Sequence, residues 1–243
     1  MVGILFHFRF HIPDSLLSFL LRIPRRSWSD YRRRIVKTLS QNLSGNISFG
    51  DFKARHREGT KVMGKPVTLI IDGFEKAVTK PKGKRWESIT WSQKKKQNSF
   101  NTLIAISPHT KRIRFLSQPW SGASDDLTVA KNELRKIKPW LSNDDHIIGD
   151  EGFNGLEYLN VHTISNRSTE FPARKSFNEK RALVENAISD LRGWKCLHDP
   201  LKTFMHDKSS YESERILYYD YLKVLVSVHN MIVDEKVLNH NTI

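Results

Sequence analysis

The sequence predicts an α/β fold, a mixed sheet flanked by helices, on three observations. Val67-Thr-Leu-Ile-Ile71 is a compact apolar run with β-branched residues, ending at Asp72-Gly73, and reads as a buried strand. Residues 100–106 and 112–118 flank Ser107-Pro-His-Thr110, a turn signal, and read as a hairpin. Further along, apolar spacing becomes helical over about residues 178–194 and again over about 212–237.

The chain of 243 residues suffices for one substantial domain and a small appendage, here a helical N-terminal segment (1–60) and a larger unit (61–243). Its hydrophobic content of 38% can fill a core, and its 27% charged content suits a soluble surface. No stretch approaches the roughly 20 apolar residues that span a bilayer, so no membrane partner is expected. The apolar opening is short and is interrupted by His7, Arg9 and His11, which argues against a signal peptide. A net charge of +14 favours a polyanionic partner, because neutralising phosphates releases condensed counterions. Cys196 is the only cysteine, which excludes an internal disulfide and any cysteine-based zinc module.

In chain order, residues 14–44 read as two helices around Pro24. Trp28, Tyr31, Ile35, Leu39 and Leu43 lie on one side of the second, and Arg32, Arg33 and Arg34 on the other. This segment is either a helix-turn-helix remnant or a basic amphipathic helix packed on the next domain. After the strand and hairpin, Asp125 or Asp126 starts a helix that ends near Trp140. His146-Ile-Ile-Gly149 is a short strand running into Asp150, and Val161–Ile164 is a weaker one. The order is ribonuclease-H-like: three antiparallel strands, then crossovers to parallel strands. A crossover of that kind brings strand 146–149 beside strand 67–71, running the same way, with Asp72 and Asp150 side by side. Ligands in open α/β sheets favour such strand ends.

Each aspartate alone is explained by a turn. Together they repel unless a cation lies between them, and hard ions such as Mg²⁺ prefer oxygen ligands. The helix near 178–194 adds a third acid. At about 100° per residue, Asn178, Arg181, Glu185 and Arg192 share a stripe about 60° wide, beside the apolar face of Val184, Ala187, Ile188 and Leu191. Glu185 therefore stands at the seam between core and surface, with Arg181 and Arg192 placed to keep it ionised and to hold phosphates. An ordinary exposed Arg–Glu pair is the plainer alternative.

Several segments then resemble eukaryotic DDE superfamily endonucleases, the Harbinger-like and related transposases. Ile70-Ile71-Asp72-Gly73-Phe74-Glu75 resembles their first-Asp motif, and Trp91-Ser92-Gln-Lys-Lys95-Lys-Gln-Asn98-Ser99 resembles Tyr-Ser-x-x-Lys-x-x-Asn-Thr. Gly122-Ala-Ser-Asp-Asp126 resembles Gly-x-x-Ser-Asp, with Asp125 in place of the Ser. Ile148-Gly149-Asp150-Glu-Gly152-Phe153 resembles Ala-Asp-Arg-Gly-Phe, Arg181-Ala-Leu-Val184-Glu185 resembles Arg-x-x-Val-Glu, and His229-Asn230 resembles a late Leu-His-Asn element. The ordered set spans about residues 60–235 and is far more specific than any one segment.

The resemblance implies a metal-dependent DNA nuclease and strand-transfer domain acting on transposon ends and target DNA in the nucleus. It implies an Asp72, Asp150, Glu185 centre that holds Mg²⁺ or Mn²⁺. Asp150 is preferred to Asp126 as the second acid because it ends a strand beside the first and stands 35 positions before Glu185. Asp126, at a helix start, is explained by N-capping and is given a secondary role as a metal ligand. Asn178 replaces the Tyr, and Arg192 the Lys, of the related bacterial Tyr-Arg-Glu-Lys signature; Asn101 stands where a Lys is common.

Lys84, Arg85, Lys94, Lys95 and Lys96, interleaved with Trp86 and Trp91, are candidates for contact with the DNA backbone and unpaired bases. A solvated loop or a nuclear-import signal is an equal alternative. No complete site-specific DNA-binding domain is evident, so a homo-oligomer or a separate DNA-binding protein is an expected partner. The same scarcity raises the alternative of a degenerate or domesticated derivative that binds DNA or protein without catalysis.

Overall fold

The computed structural model describes residues 7–10, 12–62, 64–163, 171–201 and 205–240. Its elements are α1 (Asp14–Leu21), α2 (Arg25–Asn42), α3 (Phe52–Arg57), β1 (Thr60–Val62), β2 (Lys65–Ala77), α4 (Lys84–Thr90), β3 (Trp91–Ser92), β4 (Gln97–Ile106), β5 (Ile113–Leu116) and β6 (Trp120–Ser121). Then come α5 (Asp126–Ile137), β7 (His146–Gly149), β8 (Val161–Thr163), α6 (Phe171–Arg192), α7 (Lys195–His198) and α8 (Lys208–His240).

The sheet is mixed, as expected, with strand order β3-β4-β2-β7-β8. β2 is antiparallel to β4, from Ile70↔Ile106 to Ala77↔Ser99, and β4 is antiparallel to β5. On its other side β2 is parallel to β7 through Val67↔His146 and Ile70↔Ile148, and β8 continues in parallel beyond β7. Because side chains alternate across a strand, β2 feeds two cores. Ile70 and Phe74 join Ile104, Ile148, the α6 residues Val184, Ile188 and Leu191, and Tyr218, Leu222 and Leu225 of α8. Leu69 and Ile71 join Leu103, Ala105, Ile147 and the α5 residues Val129, Ala130 and Leu134 on the opposite face.

Three boundaries differ from the sequence expectation. β2 does not stop at Ile71, because β4 keeps pairing with it to Ala77 and Gly73 is accommodated without a break. What ends near Ile71 is the pairing with β7, so Asp72 marks the loss of one neighbour rather than the end of the strand. α6 begins at Phe171, earlier than its apolar periodicity. The basic stretch starting at Lys84 is the short helix α4, not a loop.

Two polar anchors hold the frame. Arg55 on α3 donates from Nε to Asp145 Oδ1 (3.0 Å) and from Nη2 to Oδ2 (2.6 Å), with both side chains buried before β7. Burial opposes ionisation of Asp145, but the Arg55 hydrogen bonds hold its carboxyl below the usual range. Asn230 on α8 is fully buried. Its Oδ1 accepts from Ile113 N (2.8 Å), and its Nδ2 donates to Ile113 O (2.9 Å) and Asn46 O (2.7 Å), fastening β5 to the helix layer.

The N-terminal helices pack on the α6/α8 side, with Trp28 and Val36 buried in that core. Arg32 turns inward, donating to Asp14 Oδ2 (3.0 Å) and Tyr221 Oη (2.5 Å), and Ser40 donates to Asp220 Oδ1 (2.7 Å). Arg33 and Arg34 remain exposed. No helix among the described residues is long and apolar enough to cross a membrane.

Candidate active site

Asp72 sits on β2 between Ile70 and Phe74, on the face that α6 covers. The β2–β7 register ends at Ile70↔Ile148, so Asp150, two residues on, leaves the sheet level with Asp72. Asp72 Oδ1 accepts from Gly73 N at 2.7 Å, and Asp150 Oδ1 accepts from Gly152 N at 2.9 Å. Gly149 keeps this corner tight: a Cβ there would lie 2.6 Å from the Phe153 ring, which is buried against Ile71 and its neighbours.

Asp126 does not cap α5. Asp125 does, its Oδ1 accepting from Thr128 N at 2.6 Å, so N-capping does not explain Asp126. Asp126 turns back toward the sheet. Its Oδ1 accepts from Asn101 Nδ2 (2.9 Å) and its Oδ2 from Lys94 Nζ (2.8 Å). It rests against Gly73, where a Cβ would come within 2.4 Å of Asp126 Oδ1. Glycine at that position is therefore what lets α5 bring its first carboxylate to β2.

Burial first, then Asp150 and Asp126, push the Asp72 carboxyl up to about 6, against the Gly73 hydrogen bond and the Lys94 charge. Lys94 is held above its ordinary value, chiefly by its hydrogen bond to Asp126 and further by the charges of Asp126, Asp150 and Asp72. Two places further along this face, Lys76 is buried, and burial lowers its ammonium to about 8. It donates to the Asp199 carbonyl.

Glu185 lies on α6, whose Val184, Ala187, Ile188 and Leu191 are buried in the core beneath it. It is exposed, and its Oε1 forms an ion pair with Arg181 Nη2 at 3.0 Å. Asp150 and Asp126 thus lie near enough to act on Asp72, whereas Glu185 pairs with Arg181. Among the described residues, no group of three or more His, Cys, Asp or Glu side chains is arranged to hold a metal ion. The donor type nevertheless suits a hard divalent ion, for which carboxylate oxygens are the preferred ligands. Arg192 lies on the Asp72 side of the sheet, its guanidinium 5.6 Å from the Phe74 ring centre.

The basic candidates divide by position. Lys84, Arg85, Lys95 and Lys96 are exposed. Trp86 is half-buried and stacks on Tyr211 (5.3 Å, 23°), so that ring face is already engaged. Sequence reasoning missed Asn101 as the anchor of Asp126, although its departure from Lys marked the position. It also missed Arg55–Asp145, for which no local signal exists.

Other quoted motif residues are structural. Asn98 Nδ2 donates to Glu87 O and Thr90 Oγ1 (both 2.9 Å), and Ser92 Oγ accepts from Lys95 N (3.1 Å) to close a turn.

No curated protein and no solved structure matches the chain. A family model described as DDE superfamily endonuclease matches residues 71–219, a span that runs from β2 into α8 and includes Asp72, Asp126, Asp150 and Glu185. The match covers more than half of the chain and coincides with the sheet and its acid cluster, and the chain belongs to the DDE superfamily endonucleases.

Proposed function

We propose that this chain cleaves DNA phosphodiesters with a divalent-metal centre built on Asp72, Asp150 and Glu185, as the nuclease and strand-transfer domain of a transposase. The observation that carries the reading is the level placement of Asp72 on β2 and Asp150 at the exit of the parallel neighbour β7. Family membership supports DNA as the substrate class.

In this mechanism Asp72 and Asp150 would hold Mg²⁺ or Mn²⁺, with Asp126 beside them and Glu185 as the third acid. When bound, such ions activate an attacking hydroxyl or water and stabilise the leaving oxygen of an in-line displacement. Asp72 contributes an oxygen donor from rigid mid-strand backbone, so its position does not depend on a loop. Glu185 would join by exchanging its Arg181 partner for the site. Arg192 and the released Arg181 then hold substrate phosphates, a task suited to the planar guanidinium fork. Lys84, Arg85, Lys95 and Lys96 supply non-specific attraction to the DNA backbone. Transposon ends and target as the DNA, action in the nucleus, and a homo-oligomer or separate DNA-binding partner belong to the same proposal.

The test is nicking of supercoiled DNA by the purified chain with Mg²⁺, with Mn²⁺ and with chelator. Metal-dependent nicking should fall at least about a hundredfold in Asp72→Asn, Asp150→Asn and Glu185→Gln. Nicking that persists in all three variants would sink the mechanism. DNA binding without metal-dependent cutting in the unmodified chain would favour the non-catalytic derivative, a reading supported by the Arg181–Glu185 pair.

A further inference from the structure

Lys94 differs from the other lysines of its run. It lies in the turn between β3 and β4, which Lys96 N closes by donating to Ser92 O at 2.8 Å. Lys96 directs its own ammonium to Gln93 Oε1 (3.4 Å). Lys94 instead reaches across the sheet end to Asp126 Oδ2 (2.8 Å), while Asn101 holds the other oxygen of the same carboxylate. Asp150 and Asp72 also act on that ammonium. The ammonium of Lys94 is therefore committed to Asp126, the acid that Asn101 anchors.

The two partners are unequal in freedom. Asp126 is fixed by Asn101 and by its seat against Gly73. Lys94 is a compact point charge on a flexible four-carbon stem, and its side chain is 64% exposed. Any cation that enters the cluster meets an anchored carboxylate and a lysine free to leave.

We infer that Lys94, paired with Asp126, is the resident counter-ion of the Asp72–Asp126–Asp150 group, and that it competes with a divalent ion for these carboxylates. The inference rests on the metal-centre reading above and adds a regulatory step to it. Without the ion, Lys94 neutralises the anchored carboxylate of Asp126.

The experiment is Mn²⁺ binding to the full chain, read from the electron paramagnetic resonance of the free ion, with folding checked by circular dichroism. Lys94→Met should bind Mn²⁺ about tenfold more tightly than the unmodified chain, because one competing charge is gone. Lys94→Arg should restore near-original affinity, and Lys95→Met should change it less than about twofold. Lys94→Gln gives the same readout if the Met variant aggregates. Equal affinity in the Lys94→Met and unmodified chains would overturn the competition alone. An equal gain in Lys95→Met would reduce the effect to general field and overturn it too. No binding by any variant would overturn the metal-centre reading and the competition with it.

Discussion

At the scale of single residues, Asp72 is the costly one. Its carboxyl is pushed up to about 6, by burial first and then by Asp150 and Asp126. The folded chain without metal therefore binds this proton more tightly than the unfolded chain does. Stability is lost as pH rises from about 4 through 6, and the full cost applies above that. Asp72→Asn should stabilise the chelator-treated protein at pH 7.5 by about 1–3 kcal/mol, with the gain fading near pH 4. Urea midpoints at the two pH values check it, and an equal gain at both would refute the assignment to ionisation. The candidacy of Asp72 was legible because a β-branched run stops at an acid. The role of Asp126 was not, since sequence cannot say which of two adjacent aspartates caps a helix and which turns inward.

At the scale of elements, the strands and helices were legible where periodicity was strong. The β4–β5 hairpin, β7, α5, α6 and α8 all follow from apolar spacing and turn residues. The continuation of β2 through Gly73 was hidden, because its cause is the ladder supplied by β4, a segment about thirty residues away. The short α4 was hidden too, its charged residues giving no periodic signal. His229-Asn230 was visible only as a resemblance, and its work is mechanical: Asn230 joins α8 to both backbone groups of Ile113. Asn230→Ala leaves those buried groups unsatisfied and should cost about 2–3 kcal/mol in denaturant unfolding. Faster amide exchange should appear at β5 before the centre of β2. A loss below about 0.5 kcal/mol would show that water replaces the side chain without cost.

At the scale of the whole molecule, the excess of 40 basic over 26 acidic side chains sets how the chain meets a polyanion. Neutralising about four phosphates predicts a drop in DNA affinity on the order of a hundredfold between about 50 and 200 mM salt. Fluorescence anisotropy with a short duplex measures the slope, and a flat profile would remove the electrostatic basis of DNA binding. This property was legible from composition alone. The distribution of that charge was not: Arg32 and Arg55 are spent inside the fold, and Lys94 faces acids.

The placement of the aspartates also has a consequence for folding. Asp72, Asp126 and Asp150 come from a central strand, the start of a helix and the exit of a parallel strand, 54 and then 24 positions apart. None of the pairings that join them is local, and non-local pairings close late and slowly. The cluster therefore comes into being only when the sheet has its final topology. A ligand that needs all three carboxylates binds the native state and not the unfolded chain, and so shifts the folding equilibrium toward the native state by mass action. Such a ligand would report on completed folding as directly as any spectroscopic probe of the core.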